Sequence, residues 1–334
     1  MTALTYPEAL VVGLFQGVAE LFPVSSLGHS VLVPALVGGR WARDLDVSSR
    51  ESPYLAFVVG LHVATALALL AFFWRDWVRI IGGFLTSLRD RQVRTPDQRL
   101  AWLLIVATIP VGLAGLVLER TFRTTLGRPI PAAIFLAVNG AVLFGAERLR
   151  RSTVMVPATG PSSEYGTPGF DPDATMVIGR GAGHATPPGR HREPAVVHAD
   201  GFASDHRLAR LGLGQGTLVG AAQILALLPG ISRSGITMAA GLLRGLSHED
   251  AARFSFLLAT PVILAAGALK LPDLAGPLTA GIHGQVLLGS LASGIGAYFS
   301  VRFLTRYFET RTLTPFAIYC TLAGLGSLAW LTLR

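Results

Sequence analysis

Residues 8–38 read EALVVGLFQGVAELFPVSSLGHSVLVPALVG. The run is apolar but for a few residues, chiefly Gln16, Glu20 and the cluster Pro23-Val-Ser25-Ser26-Leu-Gly28-His29. A helix needs about 20 apolar residues to cross a bilayer, and the cluster leaves two halves that are each too short. Backbone that breaks at membrane depth is tolerated only where it is enclosed by protein or lines a cavity. The run therefore reads as a re-entrant helical hairpin. A second run, residues 212–246, is broken in the same way at Pro229-Gly-Ile-Ser232-Arg233-Ser234-Gly-Ile-Thr237. Gly13, Gln16, Pro23 and Ser25-Ser26 of the first run answer to Gly220, Gln223, Pro229 and Ser232 of the second, with a one-residue gap.

The rest of the chain agrees with a bilayer as solvent. Of 334 residues, 51% are hydrophobic and 14% charged, against roughly 25% charged in soluble proteins. The mean hydropathy is +0.52, which excludes an ordinary water-soluble domain. Unbroken apolar stretches at about 54–74, 101–118, 130–147, 250–270, 284–304 and 315–333 predict six spans. A shorter stretch, 77–88, is bracketed by arginines and suits a helix lying at the interface. The expected fold is an all-α polytopic membrane protein with an inverted-topology repeat, about six transmembrane helices and two re-entrant helical hairpins. Residues 1–150 form the first repeat and 207–334 the second. Between them, 151–206 is rich in Pro, Gly, Ser and Asp and predicts a flexible polar loop, whose His184, His191, His198 and His206 are too widely spaced for one helical face.

Arginine clusters at 75–99 and on both flanks of the central loop place those segments in the cytoplasm. That parity brings the first hairpin in from outside and the second from the cytoplasm, with a headgroup site open to the outer face. The formal charge of +8 is spent on this topology, so nucleic-acid binding is not expected. A lone cysteine, Cys320, gives no disulfide framework. The start of the chain shows no cleavable signal pattern, so the first apolar stretch is expected to stay in the fold.

Two charges lie inside apolar runs and need partners, because a charge at membrane depth is costly. Glu20 has Gln16 one helical turn before it, and the two offer oxygen ligands for a hard divalent cation, Mg²⁺ or Ca²⁺; packing against neighbouring helices is the alternative. A helix beginning at Ser25 puts Ser26 and His29 on one face, a hydroxyl beside an imidazole suited to nucleophilic or acid–base work. Arg233, with Ser232, Ser234, Thr237 and a helix N-terminus, describes a phosphate cradle; its alternative is an ion pair with Glu20 joining the halves. His62 is expected to be hydrogen-bonded for packing, and Arg244, Glu249 and Arg253 to form a solvated turn.

The motifs Gln16-x-x-x-Glu20, Pro23-Val-Ser-Ser-x-Gly-His29 and Pro229-Gly-x-Ser-Arg-Ser-x-x-Thr237 resemble the paired signatures of the bacterial undecaprenyl-diphosphate phosphatase family of bacitracin resistance. Phe254-Ser-Phe-Leu-Leu-Ala-Thr-Pro261 and Pro315-Phe-Ala-Ile-Tyr319 are also similar, so the resemblance covers about 1–150 and 207–334. It implies an integral hydrolase of the bacterial inner or plasma membrane that removes the terminal phosphate of undecaprenyl diphosphate, a polyprenyl diphosphate lipid, and recycles the carrier of peptidoglycan synthesis. It further implies a divalent cation on Glu20 and Gln16, catalytic roles for Glu20, Ser26, His29 and Arg233, and substrate contacts from Ser25, Gly28, Ser232, Arg233, Ser234 and Thr237. The nucleophile stays open among Ser26, His29 and water. Relatives often carry Glu at the position of Gln16, which removes one negative charge here. The long central loop is another departure from the family. A different class, a transporter or flippase of polyprenyl phosphate, would use the same anion cradle, but has no need of the hydroxyl–imidazole pair beside a carboxylate.

Overall fold

A computed structural model describes residues 4–39, 41, 45, 53–154, 196–270 and 281–333. Among the described residues every regular element is helical. The first hairpin consists of α1 (Tyr6–Leu21) and α2 (Ser26–Val37). After it come α3 (Pro53–Phe72), α4 (Trp74–Asp90), α5 (Pro96–Leu126) and α6 (Pro129–Val154). The second half begins with α7 (Val196–Leu208), followed by a broken unit of α8 (Leu213–Ala222), a 3₁₀ turn (Gln223–Leu227) and α9 (Arg233–Leu243). Three long helices close the chain: α10 (His248–Leu269), α11 (His283–Thr310) and α12 (Thr314–Leu333).

Among the described residues five helices, α5, α6, α10, α11 and α12, are long and apolar enough to cross a membrane. A sixth crossing is reached if α3 and α4 count as one bent span, and they meet at 84°. Past the bend, α4 exposes Trp74, Val78, Ile81, Leu85 and Leu88 along one stripe, the pattern of a helix with an apolar face toward lipid. Of the long helices, α10 is the most enclosed, with 61% of its apolar window buried. Phe254, Phe256, Leu257 and Leu258 on it anchor the larger hydrophobic cluster.

Packing partners exchange between the halves: α1 lies along α11 and α8 along α5, while α6 pairs with α12. Small residues permit the two exchanged contacts. A Cβ on Gly17 would collide with the Ser293 carbonyl, and one on Gly220 with the Ala107 carbonyl. Close backbone approach through glycine is how helices gain contact where lipid supplies no hydrophobic drive.

The central segment departs from expectation at both ends. Helix α6 runs to Val154, and α7 begins at Val196, so part of the stretch expected as polar loop is helical; His184 and His191 lie outside the described residues. Charges hold α7 against the bundle. The Asp205 carboxylate accepts from Arg253 Nε at 2.7 Å and Nη2 at 3.0 Å, and also pairs with Arg79. Arg207 forks onto Asp250, with its Nε and Nη2 at 2.8 and 2.7 Å. Arg253 stacks over the Phe73 ring and also reaches Asp76 at 3.0 Å. Arg253 is therefore buried in an ion network rather than set in a solvated turn. The sequence hides this because its partners come from α4 and α7, far along the chain. Glu249 pairs with Arg207 at 3.3 Å, while Arg244 caps the end of α9.

Candidate active site at the two helix breaks

Proline and local capping shape the first break. Helix α1 stops at Leu21, Phe22 turns extended, and Pro23 follows. Ser25 then adopts φ 68°, ψ 93°, a left-handed conformation unusual for a side-chain-bearing residue, which costs about 1–3 kcal/mol and clusters at functional turns. Its hydroxyl accepts from the Gly28 N–H at 3.2 Å and caps α2. In the second break Ser232 caps α9 by accepting from the Gly235 N–H at 3.1 Å. Gly230, at φ +115°, sits where a Cβ would strike the Ala132 carbonyl oxygen at 2.5 Å and the Leu136 nitrogen at 2.6 Å.

The two breaks touch. A Cβ on Gly28 would lie 2.7 Å from Gly230 Cα, so this contact needs glycine. Ser234 Oγ donates to the Phe22 carbonyl at 3.1 Å, and Ser232 Oγ does so more loosely at 3.4 Å. Asn139, on α6 and 1% exposed, bridges both sides. Its Nδ2 donates to the Pro23 carbonyl at 3.2 Å, and its Oδ1 accepts from the Ser232 N–H at 3.0 Å.

Contact between the breaks brings Arg233 onto Glu20. The Glu20 residue is 8% exposed, and its Oε1 pairs with Arg233 Nη2. Its Oε2 accepts from Ser26 Oγ at 2.5 Å and from Gln16 Nε2 at 2.9 Å, and lies 3.2 Å from His62 Nε2. Gln16, Glu20, Ser26 and Arg233 thus form one cluster, as their sequence contexts predict. Among the described residues, no partner other than Glu20 is recorded for the Arg233 guanidinium, so most of its N–H donors remain to meet an anion.

His29 stands apart from the Ser26 hydroxyl. Its Nδ1 bonds the Ser25 carbonyl at 2.7 Å, which makes Nδ1 the protonated nitrogen, and its Nε2 accepts from the Tyr319 hydroxyl at 2.8 Å. The expected Ser26–His29 contact is replaced by a Ser26–Glu20 hydrogen bond, because the Ser25 turn points the imidazole toward α12. The substrate contacts expected from Ser25, Gly28, Ser232 and Ser234 find these groups occupied in capping and in joining the breaks. Thr237 Oγ1 donates to the Arg233 carbonyl at 2.7 Å within its own helix.

His62 is hydrogen-bonded, as expected, through Nδ1 to the Val58 carbonyl at 2.8 Å, and its Nε2 also faces the Glu20 carboxylate, a contact the sequence reading does not foresee. A lone imidazole inside an otherwise apolar span carries the same signal that marked Glu20. Asn139 lies outside the sequence motifs, and Tyr319 enters them only as the end of the Pro315–Tyr319 stretch with no site role; a single amide in α6 is the trace that points to the first.

For a divalent cation, the cluster offers the Glu20 carboxylate and the Ser26 hydroxyl, while Gln16 turns its Nε2 toward Glu20. Among the described residues no three His, Cys, Asp or Glu side chains converge. That set suits an ion that keeps substrate oxygens and water in its shell, as Mg²⁺ does.

A model of the family described as Bacitracin resistance protein BacA matches residues 9–326. A protein of Mycolicibacterium paratuberculosis named undecaprenyl-diphosphatase is 65% identical over the full length of both chains. One of Frankia casuarinae, undecaprenyl-diphosphatase 1, is 54% identical over 97% of each. A third, undecaprenyl-diphosphatase 2 of Chromobacterium violaceum, is 38% identical over 96% of this chain and 97% of its own. These names carry a phosphatase and no transporter.

Proposed function

Because the chain belongs to the bacitracin resistance protein BacA family, we propose that it is a multi-pass membrane phosphatase that hydrolyses undecaprenyl diphosphate to undecaprenyl phosphate and inorganic phosphate. The observation that carries this reading is the convergence of Arg233, Ser26 and Glu20 at two touching helix breaks within apolar helices. A soluble phosphate ester needs no such location. A diphosphate tied to a polyprenyl chain does, since its headgroup must be met at membrane depth while its tail stays among the spans.

In the first step the terminal phosphoryl group lies against the free N–H donors of Arg233 and the N-terminal amides of α9. Ser26 Oγ attacks phosphorus, its proton passes to Glu20 Oε2 at 2.5 Å, and the bond to the bridging oxygen breaks, releasing undecaprenyl phosphate. The proton on Glu20 leaves with the departing undecaprenyl phosphate; a water then attacks the phosphoserine and gives its proton to Glu20, which returns it to Ser26 Oγ as the phosphorus–serine bond breaks and phosphate is freed. His29, donating from Nδ1 to the Ser25 carbonyl, fixes the turn that presents Ser26. A divalent cation, Mg²⁺ or Ca²⁺, would be held by Glu20 and the Gln16 amide oxygen, and would neutralise charge gathering on the transferred group. The site serves the cell membrane, where the product re-enters peptidoglycan synthesis.

Purified protein in detergent should release phosphate from undecaprenyl diphosphate when Mg²⁺ or Ca²⁺ is supplied, and Glu20→Gln should abolish it. Acid quenching should trap phosphate on Ser26. No phosphate release with either ion overturns the phosphatase reading, and full turnover by Ser26→Ala removes the serine as nucleophile.

A further inference from the structure

Helix α12 brings two side chains onto the first helix break. The Tyr319 hydroxyl donates to His29 Nε2 at 2.8 Å, and the two rings stack with centroids 5.7 Å apart and planes 10° from parallel. Its neighbour Cys320 turns Sγ toward the Pro23 carbonyl at 3.6 Å. Tyr319 and Cys320 come from the second half of the chain, His29 and Pro23 from the first. Helix α12 is a firm backing, because it lies so close on α6 that a Cβ on Gly140 would meet the Thr321 nitrogen at 2.6 Å. Phe15 of α1 also touches the imidazole, with centroids 5.6 Å apart.

The His29 ring satisfies these neighbours in one orientation only. Its Nδ1–H donates to the Ser25 carbonyl at 2.7 Å, so the neutral ring offers a lone pair at Nε2, and the Tyr319 hydroxyl is the donor that meets it. A half-turn of the ring would set Cε1 against that hydroxyl and Cδ2 against the carbonyl, and both bonds would be lost. Without the hydroxyl, Nε2 of a residue only 5% exposed would be an acceptor with nothing to accept, and the Ser25 bond alone would oppose the half-turn. Hydrogen bonds in series also polarise one another, so donation into Nε2 makes Nδ1–H the better donor. At the far end of this series is the residue at φ 68°, a conformation that persists only where its surroundings impose it. The next residue is Ser26, whose Oγ lies 2.5 Å from Glu20 Oε2.

We infer that Tyr319 is a positioning residue: its hydroxyl locks the His29 ring, the ring holds the Ser25 turn through Nδ1–H, and the turn keeps Ser26 on Glu20. What Ser26 does rests on the phosphatase reading above; how it is held rests on these contacts. The competing task for Tyr319 is only to cover the bundle against lipid, since its side chain is 45% exposed. Phenylalanine would do that equally well and would keep the stacked ring. Tyr319→Phe therefore removes the hydroxyl alone and separates the two tasks.

The test compares the full chain with Tyr319→Phe, both purified in detergent, by turnover of undecaprenyl diphosphate and by nuclear magnetic resonance of ¹⁵N-labelled histidine. The chain has eight histidines, and His29→Asn identifies the His29 signals by their loss. In Tyr319→Phe, kcat should fall by about tenfold with KM nearly unchanged, and the His29 Nδ1–H proton should move upfield and exchange faster with water. His29→Asn keeps an amide donor near the place of Nδ1 and leaves Tyr319 no ring to lock. Adding Tyr319→Phe to that variant should cost less than about twofold. A kcat for Tyr319→Phe within about twofold of the original, an unmoved Nδ1–H signal, or an equal loss in both backgrounds overturns the positioning role. If the unaltered chain releases no phosphate, the phosphatase reading falls, and the Nδ1–H signal alone then supports or overturns the lock.

Discussion

Replacing Asn139 by Leu isolates the contact between the two helix breaks. The side chains are close in volume, so the change removes hydrogen bonds and opens little space. It leaves the buried Ser232 N–H, 3.0 Å from Oδ1, without a partner, and the Pro23 carbonyl, 3.2 Å from Nδ2, with only the weak Cys320 thiol donor at 3.6 Å. Each such group costs about 1–3 kcal/mol when left unmade. Ser234 still bonds the Phe22 carbonyl, so the breaks stay neighbours but lose their shared brace. Arg233 begins one residue after Ser232, and Ser26 lies three after Pro23. A shift between the breaks therefore separates the proposed anion-binding group from the proposed nucleophile, and a misplacement of about 1 Å is worth on the order of 100-fold in rate. Phosphate release by Asn139→Leu should show kcat reduced by about that factor with KM changed far less, together with a lower unfolding temperature in the same detergent. If kcat stays within about twofold while the unfolding temperature falls, Asn139 only packs the bundle and the argument that it positions the site is refuted.

Other substitutions separate the remaining roles. Arg233→Lys should lower kcat/KM by at least about 100-fold, since a point charge cannot reproduce the planar fork on a phosphoryl group; kinetics like those of the unaltered protein would remove the cradle. Glu20→Gln should abolish turnover yet bind inorganic phosphate more tightly, because Arg233 no longer shares its guanidinium with a carboxylate; equal or weaker phosphate competition would count against that exchange. Asp205→Ala strips a buried partner from Arg253 and Arg79, and should destabilise the fold by about 3–5 kcal/mol in thermal unfolding. Gly17→Val drives a side chain into the Ser293 carbonyl, and should lower both the yield of folded protein and kcat, whereas Gly112→Ala, with open space around it, should leave both near their original values.

The span pattern was legible because its signal is thermodynamic: every stretch of about 20 apolar residues became helix, and the Pro/Ser clusters ended helices where proline and capping hydroxyls dictate. The central segment departs from its reading at both ends, most at the second. Composition around 196–206 is polar, and a polar segment without apolar period looks like loop. It folds as α7 because its charges meet Arg79, Arg253 and Asp250 from other helices. Such a match depends on contacts across more than 40 residues, which no local window contains. Arg253 was misjudged for the same reason.

Within the site, the residues that stood out were those whose type is expensive in apolar surroundings. Glu20 and Arg233 announce themselves by cost, and cost says only that a partner exists. The choice of partner came from topology, which set Ser26 rather than His29 as the companion of the carboxylate and brought His62 in from α3. The two accounts of Arg233, an ion pair joining the halves and a cradle for diphosphate, then cease to compete. The pair with Glu20 compensates the guanidinium charge and draws the breaks together, while the donors it leaves free are the ones that the proposed mechanism turns to phosphoryl oxygens. A buried ion pair adds little net stability over well-packed apolar residues. Its place at the contact between two strained or glycine-bound turns therefore fits the proposed anion-binding role better than a role in stability.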